Sequence, residues 1–230
     1  MFTPPRQRGV EILDSPDVDP EIRARSIADV TTSNRLLGGL RAARIAVRDA
    51  TSGMREPVTL LDIGTGLADI PSNAARDAAA RGHELRTIGV DEAFTLLAEA
   101  RGRIDDAVCA NALDLPFRDR SIDIVMCSQV LHHFETRDAE RLIREMHRVA
   151  RRAVVVSDLR RSRLAAIGFW TVSWLLRFHR VTRHDGVVSV MRGFTADELS
   201  KLVQSAAGAV PVVQRRLGFR ITARWMREAA

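Results

Sequence analysis

The sequence predicts an α/β fold, a doubly wound and mostly parallel sheet with helices on both faces. Three observations carry that reading. Apolar runs of strand length recur at VTLLDI (58–63), ELRTIGVD (84–91), AVCA (107–110), SIDIVMCS (121–128) and AVVVSD (153–158). They are continuous rather than alternating, as strands buried on both faces are. Helical segments at 68–81, 92–101 and 138–152 fall between them, the alternation that βαβ units require. The first strand also opens directly onto Gly64 and Gly66, which lets backbone approach a ligand at a strand's carboxyl end. A chain of 230 residues is long enough for one such domain.

The elements follow in order. Asp19-Pro20-Glu21 has the form of a helix start, with Asp19 as N-cap and Pro20 at the first helical position. From there to about residue 50 the pattern is helical, interrupted at Gly38-Gly39, so the leading segment is two helices. Its apolar residues, Ile22, Ile27, Leu36, Leu37 and Leu40, are too few for a separate core. Residues 1–56 are therefore expected as an N-terminal helical cap on the 57–230 domain. The helix at 68–81 stops at Gly82 and that at 92–101 at Gly102. The helix at 138–152 is amphipathic, with Leu142, Ile143, Met146 and Val149 on one face. After Asp158 the alternation pauses, and 159–193 is expected as an irregular insertion containing LAAIGFWTVSWLL. That run is too short to cross a membrane, so no transmembrane segment is expected. Thr195-Ala196-Asp197-Glu198 is a capping box for a last helix. VPVVQRR (210–216) and FRITARW (219–225), separated only by Leu217-Gly218, should close the sheet as an antiparallel hairpin.

Composition excludes little. The net charge of +6 comes from 34 Arg and a single Lys scattered along the chain, so charge alone names no polyanionic partner. Cys109 and Cys127 lie in strand-like contexts and are expected as buried free thiols in a reducing, cytoplasmic compartment. The start MFTPPRQRG has no apolar core of a secretory signal. The six histidines show no ligand spacing, and no metal site is expected.

The loop LLDIGTGLADIP (60–71) carries the chemistry. In the dinucleotide fingerprint a third glycine follows the first pair and the helix N-terminus takes a pyrophosphate. Here that third position is Asp69, and Asp62 precedes the pair. Two carboxylates repel a pyrophosphate but welcome a cationic ligand without phosphate. S-adenosylmethionine, with an ammonium, a sulfonium, a ribose and an adenine, has that character. Asp91 ends the next strand, where an acid about 20–30 residues beyond the loop can accept both ribose hydroxyls. Two other readings stand beside these: Asp91 as N-cap of a helix starting at Glu92, and Asp62 and Asp69 as loop and cap residues.

These residues resemble the class I S-adenosylmethionine-dependent methyltransferases, above all the branch that includes ubiquinone/menaquinone-biosynthesis-type small-molecule methyltransferases. LLDIGTGLADIP is similar to the family's first motif, with Ala68 where a third glycine is commoner; GVDEAFTLLAEAR and CANALDLPFRDRSIDIVMCSQVLHHF resemble its later segments. The resemblance implies a Rossmann-like seven-stranded sheet with an antiparallel last strand, consistent with the hairpin. It implies that Asp62, Gly64 and Gly66 take the methionine end of S-adenosylmethionine and Asp91 the ribose, with Thr65, Asp69 and Glu92 among the cofactor contacts. Asn111, Ala112 and Leu113 would meet the adenine edge, Asn111 standing in for the usual acid and accepting from the adenine amino group through its side-chain oxygen. Ser128 and Gln129 would line the sulfonium side.

Methyl transfer is an in-line displacement that needs mainly alignment and desolvation. An oxygen or nitrogen nucleophile also calls for a base, and His132 and His133 are the candidates, structural roles being the alternative. His147 reads as solvated surface. In the insertion, Trp170 and Trp174, with Phe169, would form a lid over an apolar or aromatic acceptor. The same run also reads as a core helix on the sheet or a patch on a membrane surface. Asn34 and Arg35 are placed near the methionine carboxylate, and Arg192 near an anionic or phenolate group. The expected activity is O- or C-methylation of a small acceptor such as a phenol, quinone precursor or polyketide. An RNA methyltransferase is the alternative, but SQVLHH stands where an N-P-P-F/Y tetrapeptide would, and no nucleic-acid partner is expected. A non-catalytic S-adenosylmethionine-binding protein is a third reading, and a homodimer stays open.

Overall fold

The computed structural model describes residues 3–15, 17–54 and 57–227. The expected boundary between 56 and 57 adjoins residues 55 and 56, and the opening of MFTPPRQRG falls on residues 1 and 2, all outside the described residues. A short 3-10 turn, Ile12–Asp14, precedes α1 (Pro20–Leu36) and α2 (Gly39–Thr51). There follow β1 (Val58–Ile63), α3 (Asp69–Ala79), β2 (Leu85–Asp91), α4 (Phe94–Ala100), β3 (Asp106–Cys109) and β4 (Ile122–Ser128). The chain continues through α5 (Thr136–Val149), β5 (Ala150–Leu159), α6 (Arg163–Leu175), α7 (Arg180–Arg192) and α8 (Ala196–Ala207) to β6 (Val212–Arg216) and β7 (Arg220–Met226). The seven strands form one sheet in the order β3-β2-β1-β4-β5-β7-β6. β7 pairs antiparallel with both β5 and β6, and the other pairings are parallel. The order reverses between β1 and β4, so the crevice of this fold opens at the carboxyl ends of those two strands.

The continuous apolar runs are explained by two cores. Leu61, Ile63, Val125, Cys127, Val154 and Val156 face the apolar stripe of α5 and the inner face of α8. Their alternates Leu60, Ile124, Met126 and Val155 face Ala43, Ala46, Val47 and Ala50 of α2 and Ala74 and Ala78 of α3. With side chains alternating by two, a strand buried on both faces must be apolar throughout. The small residues of α2 and α3 let both helices lie close on the sheet. Of the leading segment, α2 thus belongs to the sheet's cover, while α1 lies with α7 beyond the strand ends.

Four expectations need correction. Residues 159–193 are not irregular: β5 runs to Leu159, and α6 and α7 follow. His179 caps α7, its Nδ1 accepting from Val181 N at 3.3 Å. Asp29 of α1 accepts from His179 N and Thr182 Oγ1 at 2.7 and 3.0 Å, which moors the pair to α1. The hairpin turn takes three residues, 217–219, not two. A Cβ on Gly218 would lie 2.1 Å from the Leu37 carbonyl oxygen, so the turn packs against the α1–α2 corner. Cys109 is exposed because β3 is an edge strand; Cys127 is buried as expected. His147 is half-buried and its Nδ1 accepts from Trp225 Nε1 at 3.2 Å, so it joins α5 to β7. Among the described residues no helix is long and apolar enough to cross a membrane.

Candidate active site

The β1–α3 loop is held by backbone and by one carboxylate. Gly64 N and Thr65 N donate to Val90 O at 2.8 and 3.0 Å. Asp91 accepts from Gly66 N through Oδ2 and from Ala93 N through Oδ1, both at 2.9 Å. It braces the loop against the end of β2; α4 begins only at Phe94, so Asp91 does not cap a helix starting at Glu92, and Glu92 is exposed. Each oxygen of Asp91 keeps a further lone pair for a ribose hydroxyl. Gly64 has φ +67°, and a Cβ there would lie 2.4 Å from Val130 Cγ2. Ala68, where a third glycine was commoner, adopts the same left-handed region with φ 58°.

The acids around the loop are not two free carboxylates. Asp62 is buried, its Oδ2 accepts from Thr65 Oγ1 at 3.0 Å, and its Oδ1 has no partner among the described residues. Burial pushes its carboxyl up to about 7; the Thr65 hydrogen bond opposes the shift and the Asp91 charge adds to it. Asp69 opens α3 and lies 3.3 Å from Arg103 Nη1 and 4.0 Å from Arg35 Nη2. Asn111 Oδ1 accepts from Leu113 N at 2.7 Å, closing its own turn through Ala112, so an adenine amino group would share that oxygen. Ser128 Oγ and Gln129 Nε2 are buried without partners among the described residues. The orphaned polar atoms of Asp62 and Ser128, with open space around Gly66, fit a ligand that carries an ammonium and hydroxyls.

Beside this crevice lies a cavity of about 350 Å³, walled by the leading segment, α1, α6, α7 and the ends of β4 and β5. Its lining is largely apolar, from Leu13, Ile27, Val30, Phe169 and Val190, with Asn34, Gln129, His132, His133 and Arg220 among its polar groups. His132 is buried; Asp158 Oδ1 lies 2.6 Å from its Nδ1, and Asp158 Oδ2 accepts from its backbone N at 3.0 Å. Burial pushes the Asp158 carboxyl up, but the charge and hydrogen bond of His132 outweigh it and leave it below the usual range. An ionised carboxylate only accepts, so Nδ1 carries a proton against Asp158, and Nε2 is the ring nitrogen left to meet another group. That Nε2 has no partner among the described residues.

His133 stacks on His132 with centroids 4.3 Å apart. Burial lowers its proton affinity, yet Asp14 and Glu11 carry it above the ordinary histidine range. Ligand atoms of Glu11, His132 and His133 lie within 4.8 Å of one another, a grouping that sequence spacing did not reveal because Glu11 arrives from the far end of the chain. Glu11 Oε1 already accepts from Ser189 Oγ at 2.8 Å and Arg192 Nη1 at 3.0 Å.

The fold separates several residues expected together. Trp170 and Trp174 are 53% and 55% exposed and line a shallow outer groove with Arg183, not the cavity. The inner stripe of α6 is Ala165, Phe169 and Ser173, four residues apart, which turns the tryptophans outward. Arg192 is engaged by Glu11 and by Asp14 at 3.3 Å, and so is not free to meet an acceptor. Asn34 lines the cavity, whereas Arg35 is largely exposed and points to Asp69. Glu11, Asp158 and Arg220 were missed. The only available signal was Asp158 at the carboxyl end of a strand.

Residues 61–156 match the family described as a methyltransferase domain. A stretch of 67 residues, 29% of this chain, is 39% identical to human probable tRNA methyltransferase 9B and covers 15% of that protein's length. Among solved structures, the plantazolicin methyltransferase BpumL in complex with SAH superposes with a TM-score of 0.67 at 12% identity, over 93% of this chain and 92% of that one. Magnesium protoporphyrin IX methyltransferase (ChlM) from Synechocystis PCC 6803, with bound SAH, gives 0.59 at 15% identity, over 86% and 87%. Residues 61–156 thus resemble a methyltransferase domain, and the sheet and its helices share the fold of these solved methyltransferases.

Proposed function

We propose that the protein transfers a methyl group from S-adenosylmethionine to the hydroxyl of a small, largely apolar acceptor, such as a phenol, quinone precursor or polyketide, bound in the 350 Å³ cavity. The observation that carries this reading is the His132–Asp158 pair, its Nε2 unpartnered among the described residues, in a largely apolar cavity at the ends of β4 and β5. S-adenosylmethionine supplies an electrophilic methyl on a sulfonium when bound. Gly64, Gly66, Asp62 and Asp91 would hold its methionine and ribose ends, and Asn111 to Leu113 its adenine edge. His132 takes the acceptor's proton at Nε2, and Asp158 holds the ring in that tautomer and stabilises the imidazolium. The apolar walls exclude water from the nucleophile.

The test is transfer of labelled methyl to a panel of phenols and hydroxylated polyketides. His132→Ala should lower kcat about 100-fold or more while S-adenosylhomocysteine affinity stays within twofold. Undiminished transfer by that variant would remove His132 from the mechanism. The match to the human protein favours a second reading, methylation of tRNA; labelled transfer to bulk tRNA, and none to the small-molecule panel, would establish it instead.

A further inference from the structure

Arg220 opens β7 and is only 3% exposed. Its Nη1 donates to Gln129 Oε1 at 2.7 Å and its Nε reaches the Leu37 carbonyl oxygen at 3.4 Å, both neutral acceptors. Nη2 has no hydrogen bond to any described residue, and no described carboxylate lies within ion-pair distance. Asp158 is the acid whose field reaches it, but Oδ1 of Asp158 is taken by His132 Nδ1 and Leu159 N and Oδ2 by His132 N. A buried guanidinium without a counter-charge is costly, and buried charges are ordinarily paired. Burial lowers its proton affinity to a pKa of about 10, far from neutrality, so the charge stays. Gln129 adds an amide nitrogen that is buried and unsatisfied. Both residues line the cavity that holds His132.

We propose that Arg220 and Gln129 form an anion subsite in this cavity and that the acceptor is therefore an acid, a small hydroxylated aromatic carboxylate. The inference rests on the reading of the cavity as the acceptor site. Arg220 Nη2 and Gln129 Nε2 are the free donors, and a carboxylate takes a guanidinium fork better than any neutral group. The acid belongs to the acceptor and not to the methionine end of the cofactor, because β7 stands three strands from the β1 loop, beyond β4 and β5. A volume of about 350 Å³ admits one substituted ring.

The experiment titrates 4-hydroxybenzoate and its neutral counterpart 4-hydroxybenzamide into the full-length protein saturated with S-adenosylhomocysteine. The acid should bind at least about tenfold more tightly than the amide. Arg220→Met should abolish that preference, leave S-adenosylhomocysteine affinity within twofold, and unfold no earlier than the wild type without ligand, since it removes an uncompensated buried charge. Should Arg220→Met fail to fold, Arg220→Lys keeps the charge but loses the fork. Its acid-to-amide preference should fall at least threefold yet remain above one. Equal binding of acid and amide, binding of neither, or an unchanged preference in the variants would overturn the proposal. So would a tenfold loss of S-adenosylhomocysteine affinity in Arg220→Met, which would give the subsite to the cofactor. Absence of S-adenosylhomocysteine binding by the wild type would instead sink the methyltransferase reading.

Discussion

Asp62 is the residue in which burial and ligand charge meet. Its folded carboxyl is pushed up to about 7 from a reference of 3.8. Between these values the unfolded chain has released the proton and the folded chain still holds it. The group's contribution to stability is therefore full below pH 4, falls as pH rises through the window to 7, and is flat above it. Asp62→Asn should flatten that slope, read as the change in urea midpoint between pH 5 and pH 8 for ligand-free protein. An equal slope in both would mean that Asp62 is ionised when folded. An ammonium placed against Oδ1 reverses the preference, so S-adenosylmethionine binding at pH 6 should release close to one proton. Calorimetry in buffers of different ionisation enthalpy reads that number, and no release would place the ammonium elsewhere.

At the scale of elements, the β1–α3 loop makes a sharp distinction between its glycines. Both have positive φ, but a Cβ at Gly64 meets Val130 at 2.4 Å while nothing lies within 4 Å at Gly66. Gly64→Ala adds a clash to the left-handed cost of about 1–2 kcal/mol, and Gly66→Ala carries only the latter. Thermal unfolding should rank them in that order, and equal midpoints would show that the β4 end yields. The phase of α6 makes a second prediction. Phe169 faces the cavity and rests on α7 at Gly186, where a Cβ would lie 2.0 Å from the ring. Phe169→Ala should raise the acceptor KM at least about fivefold by opening the wall, and Trp170→Ala should leave it unchanged. The reverse result would return the lid to the tryptophans.

Across the whole molecule, the arginines join distant segments. Buried Arg161 donates to Pro4 O, Gly193 O and Glu198 Oε1 at 2.8, 2.6 and 2.5 Å. Arg6 reaches Arg192 O at 2.6 Å and Phe134 O at 2.9 Å, and Asp185 accepts from Ile12 N and Leu13 N at 2.8 and 2.9 Å. Residues 4–14 are thereby strapped across the cavity beside His133. A chain lacking residues 1–15 should keep cofactor affinity and lose acceptor affinity at least tenfold. A chain lacking residues 1–56 also uncovers the sheet face under α2 and should not fold. Normal acceptor binding by the shorter deletion would show that the strap is dispensable.

The sheet was legible in the sequence because its signals are local. Apolar continuity marks a strand buried on both faces, amphipathic phase marks α5, and the capping box at Thr195 and Glu198 forms as written. The glycine loop was legible too, since its positive-φ positions and Asp91 lie within one βαβ unit. The cavity walled by α1, α6 and α7 was not. His132 and Asp158 lie 26 positions apart, and Gln129 and Arg220 lie 91 apart. They meet only because the sheet order sets β4, β5 and β7 side by side. The α6 run could be seen as apolar, but which aromatic faced inward was decided by its packing against α7. Whether an acid was paired or desolvated was decided by its tertiary surroundings, as Asp69 and Asp62 show. The sequence by itself determined the fold class and the glycine loop, where neighbours in the chain are neighbours in space. Only the tertiary structure decided the cavity around His132, because its charges and walls come from segments that the fold alone brings together.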